Sequence, residues 1–182
     1  MDRSAGSGGF RDGDGDWVQG WSVAGPVTEI EVHVTGRVET VDLAGLLTGH
    51  RELIAPQAYL GETDPTRADA AIRAFGAVAR DSADPLAACH TLSAAISDAI
   101  AYRPGTTHVP TTAAQALAQG EGVCQDHAHV LIAAARSADI PARYVSGYLQ
   151  SGSDGSDHEA AHAWAELHVP GLGWIGFDPA NR

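Results

Sequence analysis

The stretch Gly120 to Pro141, GEGVCQDHAHVLIAAARSADIP, constrains the fold most, because it sets a cysteine after a Gly-x-Gly turn and at the head of an apolar helix. Val123, Ala128, Val130, Leu131, Ala134 and Ala135 recur at helical spacing, which predicts a helix ending near Asp139, ahead of Pro141. Cys124 then falls in the first helical turn. A thiol there meets the positive end of the helix dipole and backbone N–H groups that the helix leaves unpaired, a setting that favours thiolate over thiol. Asp126, in the same turn, is expected only to complement the dipole. A chain carrying such a helix must cover its apolar length and supply the thiolate with a base.

The segments on either side can do both. Upstream, Asp64-Pro65 predicts an N-cap and first-turn proline for a helix over Thr66 to Arg80, and Asp84-Pro85 repeats the device for Leu86 to Tyr102. Leu86, Cys89, Leu92, Ala95, Ile96 and Ala99 share one face of the second helix, so Cys89 reads as a small buried hydrophobe. Thr111 or Thr112 caps a short helix that ends near Gly120. Downstream, Ala142 to Leu149, Ala163 to Val169 and Trp174 to Asp178 read as strands, the last two joined at the turn signal Pro170-Gly-Leu-Gly173. Helices first and antiparallel strands after is an α+β order, with the cysteine helix covering the sheet.

The N-terminal third is different. Residues 1–16, rich in Gly, Ser and Asp with Asp12, Asp14 and Asp16 alternating, read as a disordered, solvated tail rather than a calcium loop, because the glycine and distal glutamate of an EF-hand are missing. From Trp17 to Leu43 the runs WVQGWSV, VTEIEVHVT and RVETVDL alternate with strand period, which predicts two or three strands. The expected organisation is a tail over 1–16, a partial β unit with linker over 17–62, and a catalytic core over 63–182.

Composition narrows the function classes. The formal charge of -12 argues against nucleic acid and against anionic membrane surfaces, both of which call for basic patches. All 11 basic residues are arginines, so no lysine is available for self-cross-linking. Two cysteines make no disulfide framework, the first residues carry no apolar leader, and no apolar run approaches the ~18 residues of a spanning helix, so a cytoplasmic protein without a membrane span is expected.

Position must choose a base from the 9 histidines. On the strand after residue 161, His162, Trp164, Glu166 and His168 share one face, and Trp174, Gly176 and Asp178 have matching parity across the hairpin. His162 and Asp178 then fall near each other at the strand ends, with an offset that a bulge or the strand ends must absorb. Cys124 as nucleophile, His162 as base and Asp178 as the group orienting the imidazole form the expected constellation. The Cys124 backbone N–H is the expected oxyanion donor. Trp164 and Trp174 are candidates to line a substrate groove, with aromatic pairing across the hairpin the structural alternative. His127, His129 and His168 read as packing or surface residues. A zinc site using His127, His129, Asp154, Asp157, His158 and His162 lacks paired Cys/His spacing, so no metal and no cofactor are expected. The acidic stretch 150–161, leading into His162, reads as a mobile lid.

The blocks GVCQDHAHVLIAAARSADIPARYVSGYL and HAWAELHVPGLGWIGFDPAN resemble the bacterial transglutaminase-like family, over about residues 105–181. The resemblance implies a papain-like fold and a Cys-His-Asp triad, with the Cys of GVCQD, the His of HAW and the Asp of FDP falling on Cys124, His162 and Asp178. It implies acyl transfer or hydrolysis at an amide of a peptide or protein through a Cys thioester, with water or a primary amine as acceptor. Family members begin with a fuller β-domain and continue past FDP with further strands, so the resemblance also implies a chain truncated at both ends. The alternative it leaves is an unproductive family fragment acting as a binding or scaffold module.

Overall fold

A computed structural model of the chain describes residues 4–13, 15–49, 52–149 and 161–181. It forms two units, Met1–Leu43 with Thr48–Ala55, and Ala44–Leu47 with Pro56–Arg182.

In the first unit β1 (Ser4–Arg11) pairs antiparallel with β2 (Trp17–Val23). The expected solvated tail is therefore a strand. Glycine makes this pairing possible: a Cβ on Gly9 would lie 2.6 Å from Cε2 of Trp17, so the indole rests on a backbone that only glycine leaves open. Asp12 and Asp16 close the connecting turn, where the Asp16 N–H donates to Asp12 Oδ1 at 2.9 Å. The strands expected between Val27 and Leu43 do not form. Alternation favours an extended backbone, but a strand needs a partner for its N–H and C=O groups, and residues 24–43 pair with no described strand.

In the second unit, α1 (Ala70–Arg80), α2 (Pro85–Ala99) and α3 (Ala113–Gln119) precede α4 (Cys124–Ser137). The first helix starts later than predicted. Asp64–Thr66 makes only a 3₁₀ turn, and Asp69 caps α1 by accepting from Ile72 N at 2.9 Å. Asp84 caps α2 as expected, accepting from Leu86 N and Ala87 N, and Thr112 forms a capping box with Gln115 on α3. Residues Val130 to Ala135 of α4 are each no more than 1% exposed. Such a helix is apolar all round and must be central: it packs on α1, α2 and α3 and also on the sheet.

That sheet is antiparallel, in the order β5 (Ala142–Tyr148), β6 (Ala161–Val169), β7 (Gly173–Phe177). Ala163, Ala165, Leu167 and Val169 of β6 are buried, which gives the predicted two-residue period. The outer edge of β7 is not bare. Gly176 N donates to Gly45 O at 2.8 Å and Leu47 N to Trp174 O at 3.0 Å, so residues 45–47 cover it. Gly45 is required there, with φ 77 and a notional Cβ 3.1 Å from Gly176 O. A second, two-residue parallel pair joins β3 (Ala101–Tyr102) to β4 (Glu121–Gly122) just before the cysteine helix.

Candidate active site

Cys124 is the first residue of α4 and is partly exposed. The turn that delivers it is fixed from several sides. Gly120 ends α3 in the left-handed region, with φ 68, and β4 is held by Ala101 N to Gly120 O at 2.9 Å and Arg103 N to Gly122 O at 2.8 Å. The Asp126 and His127 N–H groups both go to the Val123 carbonyl. The N–H groups of Cys124 and Gln125 are the first-turn donors left over, as expected at a helix start.

Asp126 does more than complement the dipole. It is 1% exposed, and its Oδ2 accepts from Val123 N at 2.8 Å and from Thr107 Oγ1 at 2.6 Å. A Cβ on Gly122 would fall 2.7 Å from that same oxygen. The carboxylate thus pins the residues immediately before Cys124 to the loop that carries Thr107. The His127 ring nitrogens lie 2.9 Å from Val123 O and 3.0 Å from Ile100 O, so this histidine ties α4 to the end of α2.

His162 is 9% exposed, and its Nε2 lies 2.6 Å from Asp178 Oδ2. Asp178 is itself braced: Ala180 N donates to its Oδ1 at 3.1 Å and the Asn181 amide to its Oδ2 at 2.8 Å. Asn181 went unnoticed in the sequence, although it stands three residues after Asp178 in the FDPAN run. With the Nε2 proton donated to Asp178, the nitrogen bearing the lone pair is Nδ1.

The chain's geometry brings this pair to the cysteine end of α4. Arg136 bonds the Ala142 carbonyl at 2.8 Å, so the start of β5 lies beside the last turns of the helix. Two residues on, the Tyr144 ring lies tilted against His129, with ring centroids 5.2 Å apart. The strand therefore runs back along the helix. From Tyr144 to Gly147 is about 10 Å of strand and from His129 to Cys124 about 8 Å of helix, and the cross-strand partner of Gly147 is His162. Burial, and after it the charges of Cys124 and Asp178, raise the Tyr102 phenol above its ordinary pKa.

The two tryptophans part company. Trp164 stacks on His162, with centroids 6.0 Å apart and planes 28° from parallel. Trp174, expected beside the groove, pairs with His168, six residues along β6 from His162 and so about 20 Å away. It is 5% exposed and packed against Tyr59 and His168, with the Arg143 guanidinium 4.3 Å from its ring centroid. That environment makes it a structural anchor, because the hairpin turn carries it to the opposite end of the sheet. Cys89 is 1% exposed, and burial pushes its thiol up to about 11. Among the described residues no group of three His, Cys, Asp or Glu is placed to hold a metal ion. Asp154, Asp157, His158 and most of the expected lid, residues 150–160, lie outside the described residues. Nor, among the described residues, is any helix long and apolar enough to cross a membrane.

Comparison with known proteins agrees with this architecture. Residues 73–179 match the Transglutaminase-like superfamily, and the chain belongs to that family. An uncharacterized protein of Mycobacterium leprae is 31% identical over 92% of this chain and 63% of its own length. An uncharacterized protein of Mycobacterium tuberculosis is 40% identical over 44% of this chain and 28% of its own. The chain thus spans less than two thirds of either relative. Among solved structures, the Putative Cysteine Protease from Cytophaga hutchinsonii superposes with a TM-score of 0.59 at 26% identity, covering 68% of this chain and 41% of that one. The periplasmic domain of TgpA from Pseudomonas aeruginosa, bound to ethylmercury, gives a TM-score of 0.53 at 27% identity, covering 68% and 48%. A papain-like α+β fold follows from these likenesses.

Proposed function

We propose that the protein transfers the acyl group of a peptide or protein amide through a thioester on Cys124. The observation that carries this reading is the His162–Asp178 contact at 2.6 Å, which engages Nε2 and leaves Nδ1 to serve a thiol at the start of α4. Nδ1 takes the Cys124 proton, and the thiolate adds to the amide carbonyl carbon. The tetrahedral adduct collapses, the C–N bond breaks, and the imidazolium of His162 returns its proton to the leaving amine. A primary amine or water then attacks the thioester, with His162 again the base. Asp178 holds the ring and stabilises its charged form. The Cys124 N–H stabilises the oxyanion.

The test incubates the protein and its Cys124→Ala variant with a glutamine-containing peptide library, with and without an added primary amine, and reads products by mass. Amine incorporation identifies transglutamination and peptide cleavage a peptidase, either of them absent from the variant. Identical products from both proteins would overturn the reading in favour of a binding module.

A further inference from the structure

His127 is buried three residues after the nucleophile, 2% exposed, and the reaction above gives it no part. We propose that it is held doubly protonated and supplies a positive charge that favours the thiolate of Cys124, a positioning role that rests on Cys124 being the nucleophile of the reading above.

The two acceptors around the ring carry the argument. Nδ1 lies 2.9 Å from Val123 O and Nε2 3.0 Å from Ile100 O. A carbonyl oxygen only accepts, so each contact needs a proton on nitrogen, and a neutral imidazole has one. The neutral ring would set a lone pair against one of the two oxygens at hydrogen-bond distance. Turning the ring over would present C–H edges to both and give up both contacts. Only the imidazolium satisfies both sites. Ile100 moreover ends α2, where the negative end of that helix's dipole favours a cation.

A buried cation needs negative company. Asp126 precedes it and is 1% exposed. Its Oδ2 accepts from Val123 N and Thr107 Oγ1, as an ionised carboxylate does, and its Oδ1 has no hydrogen-bond partner among the described residues. Cys124 supplies the second anion. Residues i and i+3 of a helix stand about 5–6 Å apart at Cβ, and the His127 ring reaches back one turn to Val123, so its charge lies along the turn that carries the sulfur.

Other titratable groups stand on the elements that meet there. They are Asp98 near the end of α2, Tyr102 of β3 with its ring 6.2 Å from that of His127, His129 farther along α4, and Glu121 of β4, which pairs with Arg103 at 3.2 Å. Helix α3 carries none. His127 gives up no proton in the reaction: the Cys124 proton goes to Nδ1 of His162, and His127 acts through its charge.

The experiment reads the ring and the thiol separately. In protein carrying nitrogen-15 histidine, both ring nitrogens of His127, assigned by their loss in the variants below, should resonate as protonated at pH 7. A nitrogen bearing a lone pair would overturn the assignment. The pH profile of iodoacetamide alkylation at Cys124 is then compared in His127→Gln, which keeps a donor but no charge, and His127→Lys, which keeps the charge. Coulomb's law for a unit charge about 6 Å away, at effective dielectric constants of about 80 to 20, gives roughly 3- to 100-fold in thiolate. The profile of His127→Gln should therefore move up by about 0.5 to 2 pH units, while that of His127→Lys stays with the unaltered protein. Equal displacement in both variants would reduce His127 to a tie between helices, and no displacement in either would disconnect it from the thiol; both results overturn the proposal. If His127→Gln does not fold, the nitrogen signals, assigned with His127→Lys, still decide. Cys124→Ala reports separately: 4-nitrophenolate released from 4-nitrophenyl acetate as fast as by the unaltered protein would sink the acyl-transfer reading without touching the protonation of His127.

Discussion

His162 and Asp178 touch across the hairpin although they are not opposite each other. The β6–β7 register, Ala165 with Phe177 and Leu167 with Ile175, places Asp178 against Trp164 and makes His162 its diagonal neighbour. No bulge absorbs the offset. The strand ends at Phe177, and the following turn, held by Ala180 and Asn181, swings the carboxylate back to Nε2. On the proposed mechanism His162→Ala removes the general base and should cost about 10²- to 10⁴-fold in kcat/KM. Asp178→Ala removes one charge-assisted hydrogen bond of about 1.5–3 kcal/mol, which corresponds to about 10- to 100-fold. Release of 4-nitrophenolate from 4-nitrophenyl acetate, a substrate that acylates the thiol, measured on both variants checks the ranking, and a larger loss at Asp178 than at His162 would contradict it.

The two cysteines should separate cleanly toward iodoacetamide near pH 6. Cys89 is 1% exposed and its thiol is held protonated to about 11, whereas Cys124 is partly exposed. Peptide mass mapping should find label on Cys124 alone, and equal labelling of both would refute the assignment. The raised thiol has a second consequence. The folded chain holds the Cys89 proton more tightly than the unfolded chain, so this contribution to stability is full below about pH 9 and is lost as pH rises through about 11. Urea unfolding at pH 8 and pH 11 should show a smaller fall for Cys89→Ala than for the unaltered protein.

Much of this architecture was legible in the residues. Caps such as Asp84 before Pro85 and Thr112 with Gln115 act locally, so the helices they start are readable without tertiary context, and β6 buries alternate residues because it lies against α4. What escaped depends on partners. Residues 24–43 alternate like strands but pair with no described strand, while glycine-rich β1, with little strand propensity of its own, pairs because the indoles of β2 need bare backbone to lie on. In the site, Cys124, His162 and Asp178 stand out by residue type and spacing, and the His162–Asp178 contact is present in the structure. The burial of Asp126 and the bracing by Asn181 are tertiary facts, and Trp174 could be set apart from Trp164 only once the turn fixed the register.

Trp164 and Trp174 should therefore fail in different ways. Trp174 fills a buried socket, and its replacement by alanine should cost about 3–5 kcal/mol, seen as an earlier urea midpoint. Trp164 is only partly buried and stacks on His162. Trp164→Ala should lower kcat/KM for nitrophenolate release while moving the unfolding midpoint less than Trp174→Ala does. The reverse pattern would return Trp174 to the groove.

Gly76, in the middle of α1, offers a prediction whose sign is decided by packing rather than by propensity. In an exposed helix, Gly→Ala stabilises by roughly 1 kcal/mol because alanine loses less backbone entropy. Here the α1 backbone lies directly on α4, and a Cβ at residue 76 would meet Ser137 Oγ and sit 2.7 Å from the Ala134 carbonyl oxygen. Ser137 could turn away, although its hydroxyl already donates to that carbonyl. The Ala134 carbonyl belongs to the central helix and cannot move without shifting α4. Overpacking of this kind costs about 1–3 kcal/mol, more than the propensity gain, so Gly76→Ala should be destabilising overall. Because α4 carries Cys124 at its far end, the same variant should slow nitrophenolate release if the helix slides as a rod. Urea midpoints together with release rates test both, and a raised midpoint would mean that α1 and α4 are not in such close contact.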